Sequence, residues 1–126
     1  LLPKEKLLFT VDFIPIESVQ FRNFPDSFLP DFFDSFDKVL ALDWDRLIPG
    51  HPGAGGRLGT KKDVQDQLEL LQTASAAMKK LGQEGKCWEP AEKEFAMPKY
   101  EKWPGYQNGL PFIARRYCGL WGRGRR

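Results

Sequence analysis

A chain of 126 residues that is 41% hydrophobic and 13% aromatic can bury a packed core, and at this length a single domain is expected. Its 19 basic and 17 acidic residues leave a net charge of +2, which gives the body of the chain no electrostatic footprint for nucleic acid. No apolar run approaches the roughly 20 residues of a membrane span, and Lys4, Glu5 and Lys6 interrupt the N-terminal stretch as no signal peptide does. Localisation is left open, with the cytoplasm as the default.

Taken in order, Leu1-Leu2-Pro3 and Lys4-Glu5-Lys6 predict a strand end and a tight polar turn. Residues 7–11, Leu-Leu-Phe-Thr-Val, are too uniformly apolar to have a wet face, which predicts a strand inside a two-sided sheet. Asp12 ends that run as a carboxylate thrust out of a hydrophobic wall. Residues 15–28 hold two prolines, Asn23, Asp26 and three phenylalanines without helical period, and so predict a loop. Loops of this length commonly line a site. Arg22 and Asn23 are candidates on it for an anionic substrate, with solvated loop positions as the plainer alternative.

From Leu29 the period changes. Pro30 in a first turn, Asp31 and Asp34 near the start, and Phe32, Phe33, Phe36, Val39 and Leu40 on one face predict an amphipathic helix to about Leu42. The Phe stripe is core. Asp43-Trp44-Asp45 then turns the chain into a second strand at 46–49. Pro49-Gly50 presents His51, the sole histidine. In α/β proteins, ligands and catalytic groups commonly sit where strands end and loops begin.

The glycine-rich stretch 52–59 lacks the terminal Gly-Lys-Ser/Thr of a phosphate-binding loop, so its glycines are expected to let backbone pass close to a site. Thr60 and Asp63 form an approximate capping box. Val64, Leu68, Leu71, Ala74, Ala77, Met78 and Leu81 then carry a long helix to Gly82 or Gly85. Trp88-Glu89-Pro90 opens a short acidic helix over 91–95. Tyr100, Trp103 and Tyr106 predict an aromatic loop, and Phe112, Ile113, Arg116, Tyr117 and Leu120 a last helix over 110–120. Cys87 and Cys118 are neither a CxxC pair nor a disulfide framework and are expected to be free thiols. Arg115-Arg116 and the arginines of 123–126 predict a solvated tail, with an anion contact as the alternative.

A strand reading Leu8-Phe9-Thr10-Val11-Asp12, an amphipathic helix rich in Phe and Leu, a strand ending Ile48-Pro49-Gly50-His51 and a long helix after it resemble the C-terminal half of the metallo-β-lactamase superfamily. The resemblance runs over about residues 7–121. It implies an α/β fold that is half of an αββα sandwich, with few strands and three to four helices. In that family the Asp bridges two metal ions, and the His after Pro-Gly is the last ligand of the second. The matching positions are Asp12 and His51. The family's His-x-His-x-Asp-His loop is absent, since one histidine cannot supply it, and so is a further metal-binding histidine. The resemblance therefore implies a half that begins just before the bridging Asp.

Catalytic zinc normally has three protein ligands and structural zinc four, whereas one copy of this chain offers two. Asp26, Asp43, Asp45 or Glu17 could be recruited from nearby loops. Alternatively a homodimer could bring Asp12 and His51 of both chains together as an Asp₂His₂ set holding one or two zinc ions. Dimerisation would also cover the sheet face and edges that the missing half leaves open. No GxSxG elbow or Ser-His-Asp set competes with metal chemistry. The resemblance thus implies hydrolysis of an ester, lactone, amide or phosphoester bond, and the expectation is a zinc-dependent hydrolase of broad specificity acting on small-molecule phosphoesters or esters. Arg22 and Arg57, on the loops flanking Asp12 and His51, are the candidates to steady substrate charge, with solvated positions as the alternative. The rival expectation is a non-catalytic fragment or interaction module with a vestigial metal site. On the hydrolase reading Asp12 and His51 are expected close together, at adjacent strand ends.

Overall fold

The computed structural model describes residues 1–19, 24 and 28–121. The described residues are mostly helical and combine four α-helices with one small sheet of two parallel strands. Strand β1 (Leu7–Phe9) pairs with β2 (Arg46–Ile48) in the register Leu7–Arg46, Leu8–Leu47 and Phe9–Ile48. Parallel strands cannot be joined by a tight turn, and helix α1 (Leu29–Ala41) lies on the crossover between them. Leu2 bridges to Leu7 on the outer edge of β1, and Gly59 bridges to Leu47 on the outer edge of β2, both antiparallel.

Helix α1 forms where the 3.6-residue pattern predicts it, with Pro30 in its first turn and Leu29, Phe36 and Val39 buried. Phe32 and Phe36 meet Phe13 edge-on, with ring centroids 6.0 and 6.1 Å away. At the helix end the Trp44 indole N–H donates to the Val39 carbonyl at 2.7 Å, which fixes the turn into β2. Helix α2 (Lys61–Gln83) starts on the capping box that the sequence predicts. The Thr60 N–H donates to Asp63 Oδ2 at 2.7 Å, and the Asp63 N–H reaches back to Thr60 Oγ1 at 3.4 Å. Helix α3 (Glu89–Glu94) is short, and helix α4 (Tyr106–Trp121) closes the described chain. No described helix is long and apolar enough to cross a membrane.

Two elements differ from the sequence expectation. Helix α4 begins at Tyr106 rather than Leu110, with Pro111 inside it. The buried Tyr106 hydroxyl accepts the Met97 N–H at 2.9 Å, so a tertiary anchor, not the apolar period, sets the helix start. The first strand ends at Phe9 instead of reaching Val11 and has one wet face. Leu8 is 6% exposed while Phe9 is 58% exposed. Alternate strand side chains point to opposite faces, and among the described residues only one face of this sheet is covered.

The chain divides into two compact units. The first comprises Leu1–Ser18 and Phe28–Glu69, and the second the described residues of 19–27 and 70–121. Leu8, Ile14, Ile16, Leu29, Phe36, Trp44, Leu47 and Val64 form the buried set of the first unit. In the second, Leu71, Ala74 and Met78 of α2 and Ile113 and Tyr117 of α4 are fully buried. There the Tyr117 hydroxyl donates to the Leu71 carbonyl at 2.9 Å. Burial raises the Tyr117 phenol well above its ordinary range.

Candidate functional site

Because β1 and β2 run parallel, their C-terminal ends lie on one edge of the sheet. Asp12 lies three residues past the end of β1, and His51 three past the end of β2. The two side chains meet, with His51 Nδ1 2.9 Å from Asp12 Oδ1. The Asp12 side chain is 42% exposed and that of His51 60% exposed, so the pair opens to solvent. This is the proximity expected from two apolar runs that each finish in a ligand-type residue.

The local chain is bent to make that contact. Val11 holds φ of +53°, a region where a β-branched residue is a genuine outlier, and this turns the backbone out of the strand just before Asp12. Facing it, the Gly50 N–H donates to the Val11 carbonyl. A Cβ at position 50 would collide with that carbonyl and with Asp12 Oδ1. Gly50 is thus required by close approach rather than by its own dihedral angles. Gly53 and Gly59 serve a related purpose, since a Cβ at either would strike the fully buried Ile16. The glycine stretch after His51 packs the loop down on Ile16.

Arg57 is engaged by two carboxylates. Its guanidinium makes a bidentate pair with Asp63 at 2.6 and 2.8 Å and reaches Glu17 at 3.1 Å. Its hydrogen bonds to Asp63, foremost, raise Arg57 well above the ordinary arginine value. Burial pushes the Asp63 carboxyl up, but hydrogen bonds from Arg57 and Thr60 outweigh it and hold the group below its usual value. Arg57 therefore ties the loop after His51 to the N-terminus of α2. The other basic candidate, Arg22, lies outside the described residues, as do Asn23 and Asp26.

The further carboxylates proposed as ligands are placed as follows. Glu17 pairs with Arg57, and Asp43 with Lys6 at 3.1 Å. Asp45 begins the approach to β2, its N–H donating to the Lys6 carbonyl at 2.9 Å. Among the described residues no group of three or more His, Cys, Asp or Glu side chains is assembled to hold a metal ion. Asp12 and His51 stand as a two-donor set.

Sequence reasoning passed over Gln67. It is fully buried, and its amide donates to the Ser18 carbonyl at 2.6 Å, fastening the segment that follows Asp12. The available signal was a polar residue three positions after Val64, on the apolar face of α2. Comparison with known proteins returns no match to a protein-family model, to a curated protein or to a solved structure.

Proposed function

We propose that the chain is a zinc-dependent hydrolase of broad specificity, acting on phosphoester and ester bonds, with its metal site shared between two copies of the chain. On this reading the fold is half of an αββα metallo-β-lactamase-like sandwich, completed by dimerisation. The observation that carries the proposal is the 2.9 Å approach of His51 Nδ1 to Asp12 Oδ1 at the ends of two parallel strands.

The donor pair suits the ion. Zinc bound at about 2.0–2.1 Å to a nitrogen and an oxygen in tetrahedral geometry sets them roughly 3.3 Å apart. The two atoms need to open by only a few tenths of an ångström, and both side chains are solvent-accessible enough to do so. Two copies supply two carboxylates and two imidazoles, enough for three of them to hold an ion and leave the fourth position to water. Leu2, Phe9 and Val11, each more than half exposed, supply an apolar surface on and beside β1 for the second copy. Bound zinc would furnish a hydroxide at neutral pH and a Lewis acid for a phosphoryl or carbonyl oxygen. Asp12 and His51 would hold it. Arg57 keeps a positioning role through Asp63 and Glu17, and Arg22 remains the candidate for substrate charge.

One observation favours the rival reading of an interaction module with a vestigial site. Asp12 and His51 already satisfy each other directly. Metal analysis of protein purified without chelator, with hydrolysis of an activated phosphoester followed before and after chelation, separates the two. The hydrolase reading expects retained zinc, activity lost on chelation and restored by zinc, and a drop of roughly 100-fold or more in His51→Ala with the fold intact. Full activity in His51→Ala would place the chemistry elsewhere in the chain, and inactive, zinc-free protein whose thermal stability ignores added zinc would leave the interaction module.

A further inference from the structure

Cys87 lies between α2 and α3, and Cys118 lies in the last turn of α4, yet the fold of the second unit brings them together. The Trp88 N–H donates to Cys118 Sγ at 3.1 Å, which places that sulfur one peptide unit from Cys87. Cys118 Sγ is thereby held beside Cys87, both thiols are free, and they are the only cysteines of the chain. Their environments differ. Cys118 is fully buried, while Cys87 is partly exposed. Between them Trp88, the N-cap of α3, is 55% exposed and held at φ of +58°, a conformation non-glycine residues seldom adopt.

We propose that Cys87 and Cys118 form a reversible thiol–disulfide pair, oxidised by small-molecule disulfides of the glutathione class. Access sets the order of events. The Cys87 thiolate attacks one sulfur of the small disulfide, whose S–S bond breaks. The departing thiolate takes up the proton Cys87 gave away. Cys118 then loses its proton and attacks Cys87 Sγ, the protein S–S bond forms, and the second small thiolate leaves and is protonated in turn. Two protein thiols are oxidised and one small disulfide is reduced to two thiols.

The pairing of a partly exposed with a buried thiol suits these separate roles. Burial, with the Cys87 hydrogen bond added, pushes the Cys118 thiol up to about 12, so it stays protonated and unreactive toward solutes at neutral pH. It lies beside Cys87 only because the fold holds it there, and the Trp88 N–H is aimed to stabilise its thiolate during attack. The cross-link would join the start of α3 to the end of α4. Salt bridges already tie the same region, from Lys86 to Glu94 at 2.9 Å and from Arg115 to Glu92 at 2.6 Å. Closing this loop in the unfolded chain should raise the thermal midpoint.

The test is incubation of the reduced full chain with oxidised glutathione, followed by intact mass, thiol titration and thermal melting. The expected product has lost about 2 Da and both thiols, melts roughly 5–15 °C higher, and reverts with dithiothreitol. Cys87→Ser should give neither adduct nor melting shift. On reduced wild-type protein, which needs no variant to fold, iodoacetamide should label Cys87 at least about tenfold faster than Cys118. A lasting glutathione adduct on Cys87, a disulfide between chains, or faster labelling of Cys118 would each overturn the proposal.

Discussion

Among the described residues, seven large hydrophobic side chains left exposed belong to the first unit and one to the second. The seven are Leu1, Leu2, Phe9, Val11, Phe28, Leu42 and Leu58, and the one is Trp88. The second unit is helical, and Leu71, Met78, Ile113 and Tyr117 on two long helices are fully buried. The first is built on two three-residue strands, and a sheet that small presents a second face that must find a cover or stay wet. Its open apolar surface includes Val11, the residue directly before Asp12. The difference teaches that the unit carrying the candidate chemistry is also the one with an unfinished surface, which is why dimerisation and metal binding are proposed together.

The largest expected effect comes from the core of the first unit. Phe36→Ala removes a fully buried ring packed on Phe13 and Phe32 and should cost about 3–5 kcal/mol in urea unfolding. A loss below about 1 kcal/mol would show that this unit is as loose inside as it is open outside, and would blunt the contrast.

Asp63→Asn should cost about 2 kcal/mol, because it strips charge from a nearly buried carboxylate bonded to Arg57 and Thr60. The pH dependence follows from the lowered value of Asp63. A carboxylate held lower in the folded chain contributes its stability fully above the ordinary carboxylate value, about 3.9, and loses it as the pH falls through the folded value. Acid titration of stability should therefore be shallower in Asp63→Asn than in the wild type. Equal acid limbs would mean that Asp63 is not the clamp described.

Phe9→Lys probes the open face directly. A substitution at a side chain 58% exposed should change the stability of the single chain by less than about 0.5 kcal/mol. The same change should weaken self-association at least about tenfold in analytical ultracentrifugation, since it sets a charge into an apolar contact. Unaltered association would move the interface elsewhere. The smallest effect is expected in the closed unit. Tyr117→Phe deletes the hydrogen bond to the Leu71 carbonyl and should cost about 1 kcal/mol without touching association.

Much of this arrangement was legible in the chain. Helix α1 follows from its Phe period, α2 from Thr60 and Asp63, and the meeting of Asp12 with His51 from two apolar runs that each end in a ligand-type residue. The remainder depends on tertiary contacts that no local pattern encodes. Phe9 is wet because of how many strands the sheet has, a number its own neighbours in sequence do not carry. Helix α4 starts at Tyr106 because of a hydroxyl bonded to Met97. Arg57 is held by Asp63, whose signature in sequence is that of a helix cap alone. Cys87 and Cys118 share no short motif, and only the fold brings Cys118 against the peptide of Trp88.

Native mass spectrometry with stoichiometric zinc, before and after chelation, tests the shared Asp12–His51 site most directly, because it counts chains and ions together. The prediction is a dimer carrying one or two zinc ions that loses them on chelation, and a His51→Ala chain that holds none. A wild-type monomer without zinc, or a His51→Ala dimer that keeps its full complement of metal, would contradict it.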